Sequence, residues 1–307
     1  MHSFSSLRLA ALTSMLLAAC GGSDLIVEPE ETRAHDSRVF TADATVTTFA
    51  AMAAATGDTI DVSTTSRWAG VLNGAGYRVE VPANWNGKLV MYAHGYAGTG
   101  GALNVSNPGI RRYLISNGYA WAASSYSKNY YDVRAGVEDT NALALEFTKI
   151  AAKNGRALAA PAKTYITGVS MGGHITAAAI EDEAYATANN KVKYNGAVPM
   201  CGVVGDTELF DMFAAMQVSA MAIAGVPSYP TTKWSEIQGL VTSSLFATFP
   251  SAATPSAQVT TTALGNKYAS VLKNLTGGER PLFALGLSAG GTFPSAYGTF
   301  GSDGTVT

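Results

Sequence analysis

The stretch that most constrains this chain is "TYITGVSMGGHITAAAI", residues 164–180, where β-branched and aromatic residues give way within a few positions to a run of helix formers. A strand that becomes a helix across Gly168-Val169-Ser170-Met171-Gly172 has to bend sharply. Gly168 and Gly172 permit that bend, because side chains there would collide where strand and helix approach. Ser170 is then presented at the end of a sheet. The N–H of Met171 lies at a helix start, where developing negative charge is favoured. Those are the needs of a serine nucleophile, a weak group until a base and an anion-stabilising pocket face it.

The same spacing recurs at Gly286-Leu287-Ser288-Ala289-Gly290, but the "GTFPSAYG" that follows cannot propagate a helix, whereas Ser170 is followed by "MGGHITAAAIEDEA". Ser288 therefore reads as part of a glycine-rich loop. Around Ser170, strand and helix alternate. "YRVEVP" and "KLVMYAHG" read as strands, "GIRRYLISNG" as a helix stopping at Gly118, and "YAWAASSYS" as a strand. Val133, Val137, Thr140, Ala144, Phe147 and Ala151 then mark a helix that Asn154-Gly155 ends. "KTYIT" feeds the bend, a helix is expected from Met171 to about Ala184, and "YNGAVPMCGVV" is the next strand. The pattern predicts an α/β fold, a mostly parallel sheet with helices on both faces.

From Asp206 to about Arg280 the text turns helical and Met-rich, with breaks at Pro227, Pro230, Pro250 and Pro255, and reads as an inserted cap. Leu209, Met212, Phe213 and Met216 form a stripe that either accepts varied acyl or ring groups or packs the cap on the core. Tyr126, Tyr130 and Tyr131 either line a groove or cover the sheet.

"YAHGYAGTGG" ends a predicted strand well upstream of Ser170. The pairing of His94-Gly95 with the Ser170 motif resembles the α/β-hydrolase superfamily over roughly residues 77–204. "AASSYSKNYYDVRAGVEDT" is similar to exported bacterial esterases and polyhydroxyalkanoate-depolymerase-like proteins. The resemblance implies an α/β-hydrolase fold and hydrolysis of a small or polymeric carboxylic ester through an acyl-enzyme at Ser170. The backbone amides of Tyr96 and Met171 would form the oxyanion hole, with His94 and Gly95 supporting the loop. No H-E-x-x-H, C-x-x-C, EF-hand loop or P-loop occurs, so neither metal nor cofactor is expected. A formal charge of −2 without a basic stripe gives no reason to expect nucleic acid.

In that family the triad runs Ser, then Asp or Glu, then His. Of the four histidines, His2 lies in the leader, His35 in a tether and His94 in the oxyanion loop. His174 follows Ser170 by one helical turn and receives a packing or hydrogen-bonding role. Asp206 is the acid candidate, with no histidine to orient. A degenerate hydrolase, a different catalytic arrangement and a chain that stops early compete, and the intact bend and HG loop favour the last. On that expectation the acid and base lie beyond Thr307 and the 307-residue chain is nearly inactive, keeping about 10³- to 10⁴-fold acceleration over water.

His2 and Arg8 precede an apolar run from Leu9 to Ala19, too short to span a membrane. Leu17-Ala18-Ala19-Cys20 resembles the lipobox of bacterial lipoproteins, which implies acylation of Cys20. Gly21 after it implies the outer membrane, and plain secretion is the alternative. A lipid anchor would be the only membrane attachment, and Cys201 is expected to be a buried core thiol. The expected organisation is a signal peptide at 1–19, a tether at 20–40, a hydrolase core at 41–205, a helical cap at 206–285 and an incomplete C-terminal part at 286–307, its last strands absent. The alternative function is a binding lipoprotein that uses the hydrolase scaffold without catalysis.

Overall fold

The computed structural model describes residues 37–205, 207–226, 234–249 and 259–279, so Cys20, Asp206 and Ser288 lie outside the described residues. In chain order the elements are β1 (Thr41–Ala42), β2 (Ser66–Leu72), β3 (Ala75–Val81), β4 (Lys88–Ala93), β5 (Ala102–Leu103), α1 (Arg111–Ser116), β6 (Ala120–Ser124), α2 (Val133–Lys153), β7 (Lys163–Val169), α3 (Met171–Ala178), α4 (Asp182–Thr187) and β8 (Gly196–Met200). Then follow α5 (Thr207–Ile223), α6 (Trp234–Leu245), β9 (Phe246–Thr248), β10 (Thr260–Thr261) and α7 (Ala263–Leu275).

The main sheet has the order β2-β3-β6-β4-β7-β8. β3 runs antiparallel to both its neighbours, while β6, β4, β7 and β8 are mutually parallel. The mostly parallel sheet with one reversed strand near an edge, and helices on both faces, is the α/β-hydrolase fold. Its central strands carry few polar side chains because both faces are covered. In β4, Leu89, Met91 and Ala93 pack with Phe147 of α2 and Ile175 of α3, while Val90 and Tyr92 face Ile115 of α1. The period of two thus sorts one strand's residues between two cores.

Strand β2 lies upstream of the point where sequence reasoning began the sheet. Its turn into β3 was legible all the same: Asn73 and Gly74 both take positive φ, 51° and 88°, between the paired Leu72 and Ala75. Asn-Gly is the preferred pair for such a two-residue hairpin. A second difference concerns the helix after Ser170, which ends at Ala178 and restarts as α4, so the expected helix to Ala184 is two helices. Asp182 and Glu183 fall in the first turn of α4, where acidic side chains favour a helix start. A third concerns Cys201, which is exposed and free, against the expected buried thiol. It follows β8, an edge strand whose Val198 is 59% exposed.

Helices α5, α6 and α7 bury Met216, Met221, Val241, Leu245 and Leu272 in a core of their own, with Met212 and Phe213 packed against it. The Met stripe therefore serves this three-helix core, and Phe210 reaches Tyr131 edge-on at 5.0 Å. Among the described residues no helix is long and apolar enough to cross a membrane.

One charge is locked inside the sheet. Glu80 on β3 has no exposed surface, and its carboxylate accepts from Arg111 Nε at 2.6 Å, Arg111 Nη2 at 3.0 Å, Trp121 Nε1 at 2.8 Å and Thr65 Oγ1 at 2.6 Å. Removing one partner of such a pair strands the other, at a cost of about 3–5 kcal/mol. Arg111→Ala is therefore expected to lower unfolding free energy by about that amount in urea titrations. The double variant Glu80→Met, Arg111→Met should lose less than Arg111→Ala alone.

Candidate active site

At the C-terminal edge of the parallel strands, Ser170 breaks from β7 into α3 with φ 59° and ψ −122°. A non-glycine residue in so sparsely populated a region costs on the order of 1–3 kcal/mol and persists only where its surroundings enforce it. Here the enforcement is backbone approach. A Cβ on Gly168 would run into Gly172 O and lie 2.6 Å from Ala93 O, and one on Gly172 would run into the Ala93 carbonyl. The absence of both side chains lets β4, β7 and α3 converge beneath the serine. Ser170 N–H donates to Met200 O of β8 at 3.0 Å, and Ser170 O accepts from Gly173 N and His174 N at 2.8 and 3.1 Å. The serine is exposed. The N–H of Met171 begins α3 and has no carbonyl of its own helix to bond.

Beside it runs the loop that follows β4. A Cβ on Gly95 would stand 3.5 Å from Ser170 Cβ and 4.0 Å from its Oγ, so Gly95 borders the hydroxyl. His94 is buried, stacked on Tyr126 with ring centroids 4.1 Å apart, and Tyr126 Oη donates to His94 O at 2.9 Å. His94 Nδ1 donates to Gly95 O at 2.6 Å, because a carbonyl can only accept. That bond fixes the plane of the Gly95–Tyr96 peptide. In a trans peptide the N–H points opposite to the carbonyl, so drawing Gly95 O towards the buried ring turns the Tyr96 N–H away from it. Burial holds the His94 imidazole below the usual histidine range, against the opposing pull of the Gly95 and Ser125 carbonyls. Its Nε2 is buried and without a hydrogen bond, so the ring is no proton acceptor for Ser170.

The residues after β6 tie this loop down, a role that sequence reasoning did not assign. Asn129 Nδ2 donates to Gly100 O and Ala102 O at 2.5 and 3.0 Å, and Tyr130 N–H donates to Gly98 O at 2.9 Å. Tyr126 and Tyr130 both have positive φ, 58° and 66°. Asp139 on α2 holds the start of the same segment by accepting from Ser127 N at 2.6 Å. Burial raises its carboxyl above the usual carboxylate range, against that hydrogen bond. Of the three tyrosines, Tyr126 is buried, while Tyr131 lies against His174, Oη to Nδ1 3.2 Å, and Phe210. The structure thus brings together Ser170, Met171, Gly168, Gly172, His94, Gly95 and Tyr96. It places His174 on the flank of α3 with Tyr131.

His94 makes stability depend on pH. A buried histidine whose native affinity for protons is reduced binds fewer protons folded than unfolded below about pH 6.5, so stability falls as pH drops through that value and is complete above it. Chemical denaturation at pH 7 and pH 5 should show a larger loss in the wild type than in His94→Gln.

No family model matches the chain, and no curated protein matches it. Among solved structures it is similar to esterase B of Lactobacillus rhamnosis, at 16% identity and a TM-score of 0.30 over 62% of this chain and 53% of that one. It is also similar to a brefeldin A esterase described as a bacterial homologue of human hormone sensitive lipase, at 20% identity and 0.28 over 57% and 51%. A third is the rice cell wall degrading esterase of Xanthomonas oryzae, at 14% and 0.30 over 54% and 45%. The chain spans 38% to 57% of the length of the first such structures. The fold assignment stands on the strand order, the one reversed strand and the helices on both faces.

Proposed function

We propose that the chain is the core of an exported serine hydrolase acting on carboxylic esters. Ser170 Oγ attacks the ester carbonyl, and the tetrahedral oxyanion is received by the Met171 and Tyr96 amides. The alcohol leaves, and water releases the acid from the acyl-enzyme. His94 and Gly95 act on this reaction only by shaping the loop, while α5, α6 and α7 form the cap over the ester-binding side. The proton acceptor is neither His94, whose free nitrogen is buried, nor any histidine after position 174, since the sequence has none. Asp206 remains the acid candidate. Cys20 is proposed to carry the lipid anchor at the outer membrane. The observation that carries the reading is the backbone of Ser170, held at φ 59° with its side chain exposed and Gly95 alongside.

The test is covalent labelling of the protein as its gene encodes it with a fluorophosphonate. Labelling at Ser170 and its loss in Ser170→Ala are expected. Gly95→Ala should remain folded, since the added Cβ meets Val169 O at 3.2 Å and needs only a small shift. It should nonetheless label about tenfold more slowly or worse, because the methyl group crowds the hydroxyl and disturbs oxyanion donors that are worth about 10²–10³ in rate. Absence of labelling, with tight ligand binding indifferent to Ser170→Ala, would instead identify a non-catalytic binding protein.

A further inference from the structure

Helix α4 buries none of its residues, and a cavity of about 310 Å³ lies between it, α2 and α3. Alanines face valines here: Ala178, Ala184 and Ala188 stand across from Val133 and Val137, and side chains so short leave the space unfilled. Its volume is at the small end of the ~300–1,000 Å³ that takes small molecules.

The two ends of the cavity differ chemically. Helices α2 and α3 follow parallel strands of one sheet and so run in the same direction. Arg134 and His174, one turn before Glu138 and Ala178 respectively, therefore share the end nearer the strands' C-terminal edge. At the far end the Glu138 carboxylate is already engaged, accepting from Asn189 N at 2.7 Å, Asn190 N at 2.9 Å and Asn190 Nδ2 at 3.1 Å. At the near end, the Tyr131 hydroxyl donating to His174 Nδ1 leaves the ring proton on Nε2, and Arg134 adds a positive charge. The walls between the ends are methyl and isopropyl groups.

We propose that this cavity binds a medium-length aliphatic carboxylate. The carboxylate sits at the Arg134 and His174 end, and the alkyl chain runs along Val137, Ala178 and Ala184 towards Ala188. Charge complementarity selects an anion over a cation, and the carbon-lined walls select a tail over a compact polar ion. The site is separate from the Ser170 hydroxyl, and its occupancy needs no catalysis.

Sodium octanoate titrated calorimetrically into the full chain tests this, with octylammonium and 1-octanol in parallel. Saturable one-to-one octanoate binding is expected, at least tenfold tighter than octylammonium and unchanged by Ser170→Ala. Ala184→Phe, which fills the cavity, should weaken it at least tenfold. Arg134→Gln and His174→Gln, whose folding is checked by melting temperature, should each weaken octanoate about fivefold while leaving 1-octanol unaltered, and they decide the matter if the phenylalanine variant does not fold. Failure to saturate, octylammonium binding as tightly, or affinity indifferent to Ala184→Phe would overturn the proposal. So would binding lost in Ser170→Ala, which would place octanoate at the mouth of the ester site.

Discussion

Three backbones meet at the edge of the parallel sheet with no side chain between them, and the rest of the site depends on that approach. Gly168 and Gly172 remove the two Cβ atoms that would strike Gly172 O and Ala93 O. The approach holds Ser170 at φ 59°. The bend in turn sets the start of α3, and with it the unbonded Met171 N–H. Because Met200 O takes the serine's own N–H, strand β8 is also part of the device. Strain at one residue is thus maintained by packing spread over β4, β7, β8 and α3, as a preorganised nucleophile requires.

A second layer works through His94. This ring serves no proton-transfer role: it is buried, stacked and hydrogen-bonded to the carbonyl of the next residue. Its effect reaches the site through the rigidity of one peptide unit, which turns the Tyr96 N–H away from the ring. Tyr126, Asn129 and Tyr130 hold the remainder of the loop by its carbonyl groups. The segment after β6 therefore belongs to the machinery that positions the loop, although none of its residues borders the serine as Gly95 does.

The sequence made the bend legible because glycines at fixed spacing between a β-branched run and an alanine-rich run admit few structures. The alternation of strand and helix was legible for the same reason, each element carrying its own period. What escaped depended on neighbours far along the chain. Strand β2 was hidden by mixed composition, although Asn73-Gly74 announced its turn. The break after Ala178 followed from acidic residues that suit a new helix start better than a helix middle. Cys201 sits in apolar text, yet it is exposed because it ends an edge strand, and edge position is a property of the whole sheet. The loop contacts of Asn129 join residues about thirty positions apart, so no local pattern could announce them.

Two serines share the G-x-S-x-G spacing, and choosing between them tests the account most directly. Hydrolysis of p-nitrophenyl butyrate by the protein as its gene encodes it should fall at least about 10³-fold in Ser170→Ala and stay near wild type in Ser288→Ala. Activity that survives loss of the Ser170 hydroxyl but disappears with that of Ser288 would contradict it.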